Sequence, residues 1–253
     1  MLHSLAGLRG VRIHAADGDI GEVSDAYFDD ERWVVRYLTV NTGSWLSGRT
    51  VLVSPYSVSR IDATRAIVTT LTRKQVEDSP SIDTARPISR REEQRYLGYY
   101  GYPIYWPYTT LWAWGAMPVV VPPEPRLLQE PAMPEPEEED SSSESHLRSC
   151  REVTGYHIQG SDDAVGHAED FLFEEGTWAL RYVAVDTRNW LPGKHVLVST
   201  QWIREVSWPE RLVVVSLSRS AIEGSPQYDP GNPPTRTYES DLHRHYQRTG
   251  YWG

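Results

Sequence analysis

The sequence predicts a mainly β protein built as two small barrels in tandem, and three observations lead there. The chain repeats itself at a nearly fixed offset. Each copy is written as short strands punctuated by turn residues and closed by a helix. A proline- and acid-rich stretch separates the copies. The repeat takes precedence, because a missed repeat misassigns a whole fold.

Shifting the chain by 145 positions lays Gly10 on Gly155 and holds without a gap to Val58 on Ile203. Gly21/Gly166, Asp25/Asp170, Phe28/Phe173, Trp33/Trp178, Arg36-Tyr37/Arg181-Tyr182 and Trp45-Leu46/Trp190-Leu191 coincide, and Val51-Leu52-Val53-Ser54 recurs at 196–199. After one inserted residue the offset becomes 146, matching Glu93 to Glu239, Tyr100 to Tyr246 and Tyr105-Trp106 to Tyr251-Trp252. The expected division is therefore 1–106 for the first repeat, 107–149 for a linker and 150–253 for the second repeat.

Within the first copy, Val11 to His14 alternates as a strand, and Asp17-Gly18-Asp19 supplies a tight hairpin turn. Ile20 to Asp29 reads as the second strand. Trp33 to Asn41 is the third, apolar on both faces, as fits a strand lining a small barrel and covered outside. Thr50 to Ser54 and Ala66 to Leu71 complete five or six short strands, the spacing of a closed barrel. Thr72 caps one helical turn through Val76, which stops at Ser79-Pro80. Ser89-Arg90-Arg91-Glu92 has capping-box spacing and opens a helix to about Tyr99. Gly101 and Pro103 end it and leave an aromatic tail. Between the copies, Pro122, Pro123, Pro125, Pro131, Pro134 and Pro136 stand among glutamates, a composition that cannot offset the entropy of ordering and predicts disorder.

Composition sets further bounds. Net charge is −10. The first repeat is neutral, the linker carries −6 and the second repeat −4, which argues against duplex nucleic acid as the partner. The single cysteine, Cys150, excludes an intrachain disulfide and a thiolate metal cluster. The apolar run 111–121 is about half the roughly 20 residues of a membrane-spanning helix. With no signal-peptide pattern at the start, a cytoplasmic protein is expected. Aromatic residues are 10 Trp and 15 Tyr against 3 Phe, a choice suited to half-buried surfaces and interfaces.

The set Asp17-Gly18-Asp19-Ile20-Gly21-Glu22-Val23, Asp25 to Asp30, Trp33 through Arg36-Tyr37 and Thr42 to Arg49 resembles the PRC-barrel family. The second copy is similar but has Asp162-Asp163-Ala164-Val165-Gly166 in place of the Asp-Gly turn. The resemblance covers both repeats. It implies a barrel related to the cytoplasmic domain of the photosynthetic reaction centre H subunit and to the C-terminal domain of a ribosome maturation factor. Both are docking or scaffolding roles.

Candidate sites follow from the residues. Asp17, Asp19 and Glu22 lack the ligand pattern of a calcium loop, with Gly21 at the fifth position, and read as a turn. His243 and His245 diverge on a helix, and the pair His157/His167 lacks the second pair that zinc wants. Arg36 and Arg181 lie mid-strand, where a charge needs a partner, and the repeat points to Asp25 and Asp170 as structural ion pairs. Binding of an anionic ligand is the alternative. No catalytic, cofactor or metal residue is assigned. Trp45, Trp190, Tyr96, Tyr100, Tyr105, Trp106, Tyr246, Tyr251 and Trp252 form a candidate interface, an aromatic strip too rich for a free surface. The expected arrangement pairs the two barrels within one chain about a pseudo-two-fold axis, each tail crossing to the other copy.

The functional expectation is a non-enzymatic scaffold, without cofactor, that docks a protein partner of unnamed identity or a membrane-associated complex. The alternatives are a small-molecule or anion sensor at the barrel mouth near Trp45 and Trp190, an electron-transfer accessory like the reaction-centre subunit, and an RNA-processing accessory.

Overall fold

The computed structural model describes residues 1–62, 66–82, 88–106, 146–187 and 194–252. The disorder expected of the linker falls, over 107–145, on residues outside these, as does Trp190. Strands β1 (Leu2–Ser4), β2 (Arg12–Ala15), β3 (Gly18–Asp29), β4 (Val34–Asn41), β5 (Thr50–Val53), β6 (Val58–Ile61) and β7 (Ile67–Thr69) precede helices α1 (Arg73–Glu77) and α2 (Arg90–Tyr100). The second half repeats them. It runs β8 (Leu147–Ser149), α3 (Cys150–Val153), β9 (His157–Gln159), β10 (Ala164–Glu174), β11 (Leu180–Asp186), β12 (His195–Ser199), β13 (Ile203–Ser207), β14 (Leu212–Val215), α4 (Arg219–Glu223) and α5 (Arg236–His245). Both predicted N-caps are made: Thr72 and Ser89 each complete a capping box, with Gln75 and Glu92.

Two seven-stranded sheets result, with the same strand order. One runs β5-β4-β3-β2-β7-β6 and the other β12-β11-β10-β9-β14-β13. The hairpins β2–β3 and β9–β10 need glycine at equivalent points. Gly21 and Gly166 have φ of 155° and 157°, and a Cβ there would lie 2.1 Å from the carbonyl oxygens of Asn41 and Asp186. Among the described residues, no helix is long and apolar enough to cross a membrane.

The seventh strand of each sheet comes from the other half of the chain. β1 pairs with β10, Leu2 opposite Glu174 and Ser4 opposite Leu172. β8 pairs with β3, Leu147 opposite Asp29 and Ser149 opposite Tyr27. Each of these two strands thus joins the sheet built mainly from the other half, and β8 (Leu147–Ser149) lies inside the segment read as linker.

The two halves also meet at a pair of left-handed tryptophans. Trp33 (φ 57°) and Trp178 (φ 58°) occupy equivalent turns, a conformation that costs a non-glycine residue on the order of 1–2 kcal/mol. The strain places each carbonyl across the boundary. Trp33 O accepts from Leu180 N at 2.7 Å, and Trp178 O accepts from Val35 N at 2.9 Å. Val34 and Ala179 form a bridge between them. The Phe28 and Phe171 rings meet with centroids 5.7 Å apart and planes tilted by 38° beneath this seam, in one apolar core that runs through both halves and includes Cys150.

Candidate functional site: a buried polar tie under each tail

Arg36 stands in the middle of β4, completely buried, with Asp29 equally buried and its Oδ2 3.1 Å from the guanidinium. The expected partner Asp25 is not used. Register explains the correction: Asp25 lies opposite Thr39, and a bulge between Tyr27 and Phe28 brings the end of β3 back toward Arg36. Asp29 also accepts from the backbone N–H groups of Glu31 and Arg32, at 3.0 and 3.2 Å, so one carboxylate both shapes the turn and neutralises the arginine. In the second half Arg181 is again not paired with Asp170. It takes Glu174, with Nε 3.0 Å from Oε2.

Asp25 and Asp170 receive the exchanged segments instead. Asp25 accepts from the Ser149 hydroxyl and from Arg151 N at 3.1 Å. Asp170 accepts from the Ser4 hydroxyl and from Ala6 N at 2.8 Å. Burial, only partly countered by these bonds, raises the Asp170 carboxyl above its ordinary value.

The aromatic tails fold back on their own halves, which corrects the crossed-tail arrangement. Tyr105 lies flat against Arg36, its ring centroid 4.1 Å from Cζ. Its hydroxyl donates to Glu93, as does Tyr37 at 3.1 Å, while Arg90 reaches the other carboxylate oxygen at 3.2 Å. Glu93 is 1 % exposed. Desolvation dominates its environment and pushes its pKa from 4.5 up to about 7, against the lowering effects of Arg90, Tyr105 and Tyr37. Burial and the Glu93 charge together raise the Tyr37 and Tyr105 phenols, which stay protonated as donors. Trp106 packs on Arg90, 4.4 Å from Cζ.

The second half builds the same tie from equivalent residues. Glu239 accepts from Tyr182 at 3.1 Å and Tyr251 at 2.8 Å, with Arg236 at 3.4 Å. Arg181 covers Tyr251 and Arg236 covers Trp252. His243 is added here: the Tyr182 hydroxyl meets its Nε2 at 2.9 Å, and burial lowers its pKa. Chemically the cluster is a lock. Its carboxylates are occupied by donors on α2 or α5, on the central strand and on the tail, and the lock fixes helix and tail to the sheet. Tyr37, Glu93, Arg90 and their counterparts were missed by motif reasoning. The signal that finds them is their recurrence at the repeat offset.

The remaining expected positions divide. Trp45 donates to Ile20 O at 2.6 Å and lies under Arg73, 4.3 Å from Cζ, so it closes a hairpin. Asp17 accepts from Arg73 N at 2.7 Å and Asp162 from Arg219 N at 2.8 Å; both cap a short helix. Tyr96 is buried, bonded to Leu52 O and Ser54 N at 3.0 Å each. Tyr246 packs on Trp202. Tyr100 stacks on Tyr102 at 5.3 Å, and Tyr102 on Tyr56 at 5.0 Å. Next to them Tyr99 and Ile104 are 41 % and 36 % exposed. Trp252 is 40 % exposed.

Residues 5–75 match the family model of the PRC-barrel domain. An uncharacterized protein of Deinococcus radiodurans is 37% identical over 70 residues, which are 27% of this chain. The match spans a quarter of that protein's length, 25%.

Proposed function

Residues 5–75 are a PRC-barrel domain, and from that premise we propose that the chain is a non-enzymatic docking module whose two halves form an internal pseudo-dimer and present one aromatic face to a protein partner. The asymmetry between the halves carries this reading. Tyr56, Tyr99, Tyr102 and Ile104 form a partly exposed cluster on the first half. The equivalent positions in the second are Gln201, His245, Arg248 and Gly250. Where folding alone decides, equivalent positions keep their character, as the buried ties do. Tyrosine gives contact area and hydrogen bonding at low entropic cost, and it is enriched in protein interfaces. Exposed Arg91 and Arg95 on α2 flank the cluster, so the partner is one with an apolar centre and an acidic rim. We place the complex in the cytoplasm, consistent with one cysteine buried as a thiol.

The test compares cross-linked partners captured from native lysate by the wild-type chain, by a Tyr99→Glu/Ile104→Ser variant and by a His245→Glu control. Partners lost by the first variant and retained by the control support the reading. The same partners from all three chains would overturn it.

A further inference from the structure

The second sheet carries an imidazole pair that the first does not. His157 on β9 and His167 on β10 are directly opposed in register. Their rings face one another with centroids 4.6 Å apart and planes inclined at 49°. His157 is exposed and His167 half-buried, both on the outer face, since Ile158 beside His157 points into the core. Among the described residues neither ring makes a hydrogen bond or ion pair. The equivalent pair in the first sheet is Arg12 opposite Glu22, an ordinary cross-strand pair of opposite charges.

We propose that His157 and His167 form a binding site for a late divalent transition metal ion of the zinc or copper class. Imidazole nitrogens bind such ions at about 2.0–2.1 Å, so two on one tetrahedral ion lie roughly 3.3 Å apart. Rings whose centroids are 4.6 Å apart reach that spacing by small side-chain rotations. Two opposed strands hold both ligands, so little ordering entropy opposes binding. The row continues with Asp186 opposite His167, and His195 opposite Asp186. His195 is engaged by Glu169 at 2.7 Å. Asp186 thus lies in the same cross-strand row as the pair. Among the described residues no three metal-ligating side chains converge; the pair supplies two ligands, and water completes the shell. An imidazole pair suits zinc and copper by ligand type, with copper bound more tightly.

Calorimetric titration of the untagged, full-length chain with zinc chloride or copper chloride tests the site. The wild-type chain shows one saturable site that His157→Ala or His167→Ala weakens at least roughly tenfold, the cost even of losing an outer-sphere partner. The double variant His157→Arg/His167→Glu installs the pair found at Arg12 and Glu22; it keeps the wild-type melting temperature and loses the site. His146→Ala, which removes a second imidazole flanked by carboxylates, leaves affinity unchanged. Copper broadens the His157 and His167 ring resonances first. Equal binding by wild type and the double variant would overturn the proposal, as would loss of binding in His146→Ala alone.

Discussion

Ser149 donates its hydroxyl to Asp25 across 124 residues of sequence. Ser4 does the same for Asp170 across 166, at the position 145 residues earlier. These contacts fasten β8 to the first sheet and β1 to the second. Removing either carboxylate strands a hydroxyl and a backbone N–H, which costs about 1–3 kcal/mol. Asp25→Ala and Asp170→Ala are expected to lower the urea midpoint by similar amounts. A loss in one variant alone would contradict the equivalence of the two clamps.

The two central arginines are equivalent in sequence and unequal in burial. Arg36 and Asp29 are wholly buried, whereas Arg181 and Glu174 are each 22 % exposed. Arg36→Met leaves Asp29 charged and dry, with an expected cost of about 3–5 kcal/mol. Arg181→Met leaves a carboxylate that water reaches, and the expected cost is under about 1 kcal/mol. Chemical denaturation of the two variants reads the difference.

Glu93 makes stability depend on pH with a definite sign. Its folded pKa, about 7, lies above its ordinary value of 4.5. Between those values the folded state holds a proton that the unfolded state has released, so stability falls as pH rises from about 4.5 through 7. At about 1.4 kcal/mol per unit, the whole effect is on the order of 3 kcal/mol. Glu93→Gln keeps acceptors for Tyr37 and Tyr105 and removes the titration. Its stability is expected to be flatter between pH 5 and 8, and thermal melts across that range check this.

Residues 1–106 alone would leave β3 without β8 and β1 without β10. Two copies satisfy both needs by giving β1 to each other's β3, because Ser4 is the counterpart of Ser149. Light scattering on this fragment is expected to give twice its monomer mass.

Much of the fold was legible because it is written in side chains. The coincidence of Gly21 with Gly166 marks the repeat, Ser89 and Glu92 a helix start, and alternating apolar residues the strands. Arg36 announced its need for a carboxylate, but the choice of Asp29 over Asp25 depends on a bulge that no local pattern encodes. The strand exchange was hidden for a different reason. Leu2–Ser4 spans three residues, too few for a periodicity, and its pairing uses backbone groups that every residue shares. The return of each tail to its own half was hidden because the abundance of aromatic residues was visible and the hydrogen-bond partner of Tyr105, Glu93, was not.

The exchange also has a consequence for the residues on either side of the acidic, proline-rich segment. Trp106 rests on Arg90 of the first half, and His146 contacts Asp30 and Glu31 of the same half before β8 joins β3. The two described flanks of that stretch, Trp106 and His146, thus rest on one and the same half, while the halves are joined to each other by the exchanged strands and by the seam at Trp33 and Trp178.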